Sequence, residues 1–176
     1  MSVPSPKVLH LNELVRRRAV HRRDGRRFVL TNGCFDLLHV GHVRYLEAAR
    51  AAGDVLAVAI NSDASVRALK GAKRPINAQQ DRAEVLAALQ AVDYVTIFHE
   101  RTAEAITAAL QPNLYVKGGD YSDDPLAENF PPEGHVAMTW GGQVGIIEFV
   151  PGYSTTNVEA ALVASENDQR QGDGSR

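Results

Sequence analysis

Residues 29–50 read VLTNGCFDLLHVGHVRYLEAAR, and this stretch decides the fold. It begins with an apolar run typical of a strand, turns at Gly33, and continues with apolar residues spaced as on one face of a helix. Those helical residues are Val43, Leu46 and Ala49. His39 and His42 stand where the helix begins, and positions three apart are neighbours on a helix. The two imidazoles and the helix N-terminus therefore converge on one spot, which suits a phosphate.

Strands and helices alternate along the rest of the chain. β-Branched runs predict strands, and alanine- and leucine-rich runs predict helices. The predicted strands cover 28–31, 55–61, 94–98, 114–117 and 144–150, and the predicted helices cover 40–52, 81–90, 102–110 and 155–164. This alternation predicts an α/β fold, a Rossmann-like parallel sheet with flanking helices. Ligands bind beyond the carboxyl ends of such strands, where the loops after residues 30, 60, 116 and 150 converge.

Length and composition favour one compact domain. The chain has 176 residues, 44% of them hydrophobic, and we expect a single domain over 7–164 between flexible ends at 1–6 and 165–176. The formal net charge of −2 gives no reason to expect a nucleic-acid or anionic-membrane partner. One cysteine, no signal-peptide pattern and no apolar run of about 18 residues predict a cytoplasmic protein.

Arginines crowd the N-terminal region. We interpret them as a solvated helix face and not as a nucleic-acid surface, because no aromatic residues are interleaved for base stacking. They are Arg16, Arg17, Arg18, Arg22, Arg23, Arg26 and Arg27.

The two histidines could instead have a purely structural role, since a lone histidine is more often a hydrogen-bonded structural residue than a residue that binds a ligand. Two of them, with Gly41 between and a strand before, favour a functional site. Gly41 lets a phosphate approach the backbone amides that open the helix, and the imidazoles can donate to phosphate oxygens as charge grows in a transition state. The other histidines show no ligand spacing, so we expect no structural zinc.

Two later segments carry polar groups at predicted turns. In the first, two glycines allow close backbone contact with a flat base or a ribose. The second precedes the last predicted helix, where hydroxyls and amides form an anion-binding helix start. The residues are Lys117, Gly118, Gly119 and Asp120 in the first segment, and Ser154, Thr155 and Thr156 in the second.

The segment TNGCFDLLHVGH resembles the nucleotidyltransferase superfamily with an H-x-G-H signature, whose members join a nucleoside triphosphate to an acceptor and release pyrophosphate. The likeness covers roughly 7–162 and continues through LKGAKRPIN, DRAEVLAAL, VKGGDY and STTN. In this order the segments are most similar to the cytidylyltransferase-like domain of the bacterial D-glycero-β-D-manno-heptose 1-phosphate adenylyltransferases. Much of that branch carries the domain behind a sugar kinase, whereas here we expect a stand-alone transferase with the cytidylyltransferase-like fold.

The resemblance implies transfer of the adenylyl group of ATP to a sugar 1-phosphate. Mg²⁺ would arrive with the triphosphate, and no metal would be held by protein side chains alone. His39 and His42 would contact the triphosphate, Lys70 would supply charge from a loop that closes over the site, and Arg82 would brace substrate phosphates. The nucleotide cradle would comprise Thr31, Asn32, Gly33, Cys34, Phe35 and Gly41 together with 117–120 and 154–156. Asp36, Asn61 and Asp63 would bind substrate hydroxyls or a metal-bound water, and Lys73 and Arg74 would assist.

Several alternatives stay open. Arg82 could instead form a surface ion pair with Glu84 or Asp81, and Asp36 and Asp63 could be helix N-caps. A second function keeps the fold and the reaction but pairs CTP with glycerol 3-phosphate or another phosphorylated acceptor. A third is a non-catalytic nucleotide-binding module. We expect a homodimer, since relatives of this fold commonly pair, and neither nucleic acid nor membrane as a partner.

Overall fold

The computed structural model describes residues 5–119 and 121–148, and it places a parallel five-stranded sheet between two layers of helices. The strands are β1 Phe28–Gly33, β2 Val55–Asn61, β3 Tyr94–Phe98, β4 Leu114–Gly118 and β5 Gln143–Ile147. The helices are α1 Leu11–Arg23, α2 Val40–Ala51, α3 Asp63–Lys70, α4 Gln79–Ala88, α5 Glu104–Leu110 and α6 Pro132–Met138. The predicted α/β fold with a parallel sheet is confirmed.

The direction of strand addition reverses between β1 and β4. The sheet order is β3-β2-β1-β4-β5, so the chain builds outward from β1 on one side and then returns to the other side. Phe28 of β1 pairs with Val55 of β2, and Val29 pairs with Leu114 of β4. In open α/β sheets, ligands bind at such a reversal, outside the carboxyl ends of the strands.

Alternate residues of β1 face opposite helical layers. Val29 packs in a cluster with Leu46 of α2 and Leu86 of α4. Phe28 and Leu30 pack in the other cluster, which includes residues of α1, α5 and α6. Because both faces of the sheet are covered, its strands read as continuous apolar runs, and β2 is buried over its whole length.

The predicted strand and helix positions agree with the structure to within a few residues. The ranges 55–61 and 94–98 are reproduced, while β1 and β4 extend further than predicted and α5 begins two residues later. The predicted strand over 144–150 corresponds to β5, although its last two positions lie outside the described residues. The predicted helix over 155–164 also lies outside them.

Three helices, α1, α3 and α6, are missing from the predicted set. The buried face of α1 consists of Leu14, Arg18 and His21, so it carries no apolar periodicity, and the expectation of a fully solvated arginine face is wrong for Arg18. Helix α6 has Glu133 and Gly134 among its buried residues, which gives an equally weak signal. Among the described residues, no helix combines the length and the apolar character needed to cross a bilayer.

Candidate active site

The loop from β1 to α2 lies at the strand reversal, where the geometry favours a ligand. Gly33 ends β1, and His39 is the N-cap residue of α2, with extended backbone angles of −138° and 170°. The first turn of α2 therefore lies at the carboxyl edge of the sheet, together with the positive end of the helix dipole. This edge is the place where the sequence predicted the site.

The rings of His39 and His42 are stacked at this helix start. Their centroids lie 3.9 Å apart and their planes meet at 36°. The backbone N–H of His39 donates to Nδ1 of His42 over 3.4 Å. In a neutral imidazole one nitrogen accepts and the other carries the proton, so this contact favours the proton on Nε2 of His42.

Both imidazoles are uncharged near neutral pH. Burial, followed by the charges of His39 and Lys70, lowers the pKa of His42 from 6.5 to about 4. Burial also lowers the pKa of His39, whose buried Nδ1 has no hydrogen-bond partner among the described residues. The pair therefore presents N–H donors in a partly dehydrated environment, and an anion bound there would raise their pKa values.

Phe35 holds the histidine pair from the side of the sheet. Its ring lies 5.4 Å from the His42 ring, and the side chain is 7% exposed. Its backbone adopts φ 47°, the left-handed region that bulky residues rarely occupy. Such strain persists only where the surrounding structure enforces it, and it concentrates at functional sites.

Lys70 is the last residue of α3, not a member of the predicted loop, and its side chain is exposed. Gly71, with φ 95°, ends the helix immediately after it. The positive charge of Lys70 acts to lower the pKa of both His42 and Cys34, and burial is the larger influence on each. The predicted contact of Lys70 with a phosphate stays a prediction.

Asp36 anchors the loop that follows Lys70. The carboxylate is 2% exposed, forms a 2.7 Å ion pair with Arg74, and accepts hydrogen bonds from the backbone N–H groups of Ile76 and Asn77. Burial alone would raise the pKa of Asp36, but the hydrogen bonds from Asn77, Ile76 and Arg74 outweigh it and the pKa is lowered. Asp36 thus has internal partners, and its predicted contact with a substrate hydroxyl or a metal-bound water stays a prediction.

Arg82 is buried in α4 and forms no ion pair with Glu84 or Asp81, the surface alternative considered from sequence. Its guanidinium pairs with Asp63 and donates to three backbone carbonyls. Those carbonyls belong to Cys34, Asn61 and Asn77. Arg82 therefore supports the loop after β1 directly, and its predicted contact with phosphates stays a prediction.

The end of β2 is also occupied by internal contacts. Ser62, not Asp63, is the N-cap of α3, because its hydroxyl accepts from the backbone of Ser65. Asn61 is 3% exposed and donates to the Ser65 hydroxyl. Cys34 donates weakly to Asn61 over 3.8 Å, and burial raises the pKa of its thiol.

Thr31 connects β1 to α2, and its predicted contact with the nucleotide stays a prediction. The side chain is fully buried, and its hydroxyl is 2.6 Å from the Tyr45 hydroxyl. Tyr45 in turn donates to the carbonyl of Val116, so this bridge fastens α2 to both strands at the reversal.

A buried polar cluster joins β1 to β4 at the carboxyl edge. Lys117 donates to Asn32 over 2.9 Å and lies 3.9 Å from Glu133 of α6. The Tyr115 hydroxyl also donates to Asn32. Burial lowers the pKa of Lys117, while the carboxylate of Glu133 opposes the shift. These contacts fix the two predicted cradle residues, Asn32 and Lys117, against each other.

The glycines of the site occupy the positions that the sequence assigned to them. Gly41 lies in the first turn of α2, Gly118 ends β4, and Gly119 follows with φ 99° and donates to Ile147 of β5. The predicted contacts of Asp120, Ser154, Thr155 and Thr156 lie outside the described residues.

The carboxylates nearest the site do not form a metal cage. Within residues 5–119 and 121–148, no group of three or more His, Cys, Asp or Glu side chains is arranged to hold a metal ion. Asp36 and Asp63 are engaged by Arg74 and Arg82. Mg²⁺ commonly binds through substrate phosphates and one or two carboxylates. The Mg²⁺ ion expected to arrive with a triphosphate stays a prediction.

Sequence reasoning missed three supporting residues: Tyr45, Tyr115 and Glu133. Tyr45 and Tyr115 read as ordinary packing residues of a helix and a strand. Glu133 follows Pro131 and Pro132, and a proline at the first position of a helix is a recognised start signal that could have located α6.

A parallel sheet with this reversed strand order, together with a stacked histidine pair at the first crossover helix, defines the nucleotidyltransferase class of Rossmann-like folds. Residues 30–160 match the cytidylyltransferase-like family, and this is most of the chain. The chain belongs to the cytidylyltransferase-like family.

Several curated proteins are similar to this chain. It is 48% identical over 152 residues to the bifunctional protein HldE of Geobacter sulfurreducens, covering 86% of this chain and 30% of that protein. It is 49% identical over 158 residues to the bifunctional protein HldE of Methylobacillus flagellatus, covering 90% and 31% respectively. The chain thus spans less than a third of the length of these relatives.

A solved structure shows the same fold. The lipopolysaccharide core biosynthesis protein from Thermoplasma volcanium superimposes with a TM-score of 0.58 at 26% identity. The match covers 72% of this chain and 98% of that one.

Proposed function

We propose that this chain transfers the adenylyl group of ATP to a sugar 1-phosphate, D-glycero-β-D-manno-heptose 1-phosphate, giving ADP-heptose and pyrophosphate. The observation that carries the proposal is the stacked His39–His42 pair at the start of α2, at the strand reversal. The similarity of the chain to the HldE proteins and to the lipopolysaccharide core biosynthesis protein supports the proposal.

The proposed reaction is a substitution at phosphorus. An oxygen of the sugar phosphate attacks the α-phosphorus of ATP, the bond from that phosphorus to the bridging oxygen of the β-phosphate breaks, and pyrophosphate leaves with the electron pair. The acceptor is already ionised, so no protein nucleophile is required. The protein contributes positioning and neutralisation of charge, as in phosphoryl transfer generally.

His42 and His39 act as hydrogen-bond donors to the triphosphate in this proposal. Nε2 of His42 carries the available proton, since Nδ1 accepts from the backbone of His39. Lys70 adds a positive charge, and the open amides at the start of α2 add the helix dipole. Donors fixed before the reaction strengthen as charge moves onto the leaving pyrophosphate.

Mg²⁺ is proposed to enter with ATP, where it would neutralise triphosphate charge. Gly118, Gly119 and Lys117 are proposed to border the adenine and ribose, together with the predicted contacts of 154–156. The homodimer and the cytoplasmic location expected from sequence belong to the same proposal.

The test is a matrix of two nucleotides and two acceptors. The purified chain is incubated with ATP or CTP, each with Mg²⁺, and with heptose 1-phosphate or glycerol 3-phosphate, while pyrophosphate release is followed and the product mass is determined. We expect turnover with ATP and heptose 1-phosphate. Reaction of CTP with glycerol 3-phosphate alone would instead support the cytidylyltransferase alternative. Nucleotide binding without turnover in any pair would support the non-catalytic module.

A further inference from the structure

A second cavity opens at the amino ends of the strands, on the side of the sheet opposite to the histidine pair. It measures about 490 Å³ and lies between α1, the start of β4 and the turn before β5. Three arginines line it: Arg18 and Arg22 of α1, and Arg27 just before β1. Since β4 has five residues, about 13 Å of strand separates this cavity from the carboxyl edge.

The three guanidinium groups have only neutral partners among the described residues. Arg18 donates to the Asn113 side chain over 3.1 Å, Arg22 to the Gln111 side chain over 3.0 Å, and Arg27 to the Gln143 side chain over 2.6 Å. The Asp54 carboxylate accepts from the backbone N–H of Arg27 and not from its guanidinium. Three positive charges therefore meet in one cavity whose lining contains no carboxylate.

Arg18 is the buried member of this cluster, with 4% of its surface exposed. Its Nε and Nη2 donate to the carbonyls of Leu110 and Gln111 at the end of α5. Its guanidinium carbon lies 5.2 Å from the centroid of the Phe28 ring. Burial and the neighbouring charge of Arg22 lower the pKa of Arg18 to about 10, so it stays charged at neutral pH. Keeping Arg18 charged beside Arg22 and Arg27 raises the free energy of the folded protein, because no carboxylate in the cavity compensates the three positive charges.

We propose that this arginine cavity binds a small phosphate-bearing ligand. Guanidinium groups match phosphate oxygens through paired hydrogen bonds, and three of them match the charge of a phosphate ester or a diphosphate. The ligand would replace the neutral amide oxygens as partners of Arg22 and Arg27. The inference does not depend on the proposed reaction, because it concerns other residues and the other end of the sheet.

The cavity contains its own spectroscopic probe. Trp140, the single tryptophan of the sequence, lines it and donates from Nε1 to the carbonyl of Pro112. Tryptophan fluorescence of the full chain therefore reports on this cavity. The experiment is a titration with inorganic pyrophosphate at constant ionic strength, with citrate in parallel as a carboxylate of comparable charge.

We expect a saturable change in Trp140 fluorescence with pyrophosphate and weaker binding of citrate. The double variant Arg22→Gln, Arg27→Gln should bind pyrophosphate at least about tenfold more weakly. Both residues are exposed, so the fold should survive, and Arg18 is left intact. The control Arg16→Gln, Arg17→Gln removes two charges from the same helix that pair with Glu13, and it should bind normally.

The proposal would be overturned if the wild type showed no saturable change, if the Arg22, Arg27 variant bound with equal affinity, or if citrate bound as tightly as pyrophosphate. The double variant His39→Ala, His42→Ala tests whether the fluorescence signal comes from the arginine cavity or from the histidine site. The Trp140 response should persist in it, and loss of the response would mean that the signal originates from the histidine site.

Discussion

Arg82 and Asp63 form a 2.8 Å ion pair that joins α4 to the first residue of α3. The Arg82 side chain is 1% exposed and also donates to carbonyls of the loop after β1, the end of β2 and the loop before α4. One buried guanidinium thus links the segments that surround the histidine pair.

We predict that Arg82→Ala lowers the free energy of unfolding by about 3–5 kcal/mol, because it leaves buried carbonyls and a carboxylate without their partner. Urea denaturation of both proteins measures the difference. Arg101→Ala, at an exposed position, is the matched control and should change stability little. An Arg82→Ala variant of normal stability but greatly reduced turnover would assign the residue to substrate phosphates alone.

The Asp36 carboxylate is predicted to keep the loop over 74–77 ordered. In Asp36→Asn the ion pair with Arg74 is lost and the hydrogen bonds from Ile76 and Asn77 weaken. A loss of about 1–3 kcal/mol in local stability corresponds to amide exchange that is roughly fivefold or more faster at these two residues. Hydrogen exchange with site resolution measures it, with the exposed Asp81→Asn as control. If the amides of Ile76 and Asn77 exchanged no faster in Asp36→Asn than in the wild type, Asp36 would not be what keeps this loop ordered.

Lys70 is predicted to assist the reaction. Lys70→Ala should lower turnover by about 10²-fold, the usual scale for one lost transition-state contact. Arg67→Ala removes an exposed charge from the same helix and should leave the rate nearly normal. Steady-state kinetics with ATP and heptose 1-phosphate measure the turnover of both variants. If both variants retain full activity, Lys70 is an ordinary surface residue.

The histidine pair makes stability depend on pH. The pKa of His42 is about 4 in the folded protein and near 6.5 when unfolded, so between these values the unfolded chain binds more protons. The free energy of unfolding should therefore fall as the pH is lowered from about 6.5 towards 4. His42→Gln should flatten this dependence, whereas His99→Gln, at an exposed position, should not. Urea denaturation at several pH values measures how steeply the free energy of unfolding changes with pH. An equal pH dependence in the wild type and in His42→Gln would refute the lowered pKa of His42.

The position of His39 and His42 at the start of the first crossover helix was predictable from sequence because its signals are local. A strand, a glycine turn and two histidines three apart fall within one short stretch, and Gly33, Gly41 and Gly118 mark their turns by residue type. The supports of the site were not predictable in this way. Asp36 meets Ile76 across 40 positions, and Asn32 meets Lys117 across 85 positions.

The buried charges explain the other differences. Arg18, Arg82 and Glu133 are charged residues on the buried faces of their helices. Because buried helix faces are recognised in a sequence by apolar residues, hydropathy did not predict that these three are buried. Their partners are largely backbone carbonyls and amides, which every residue carries. The roles of Arg82 and Asp36 as loop supports follow from the folded chain and not from residue type.

The turnover of His42→Ala tests the central claim most directly. With ATP, Mg²⁺ and heptose 1-phosphate, we predict that kcat falls by about 10²-fold or more while the melting temperature stays close to that of the wild type. His99→Ala should react at the normal rate. A folded His42→Ala protein that releases pyrophosphate at nearly the wild-type rate would remove the histidine pair from the reaction and contradict the account.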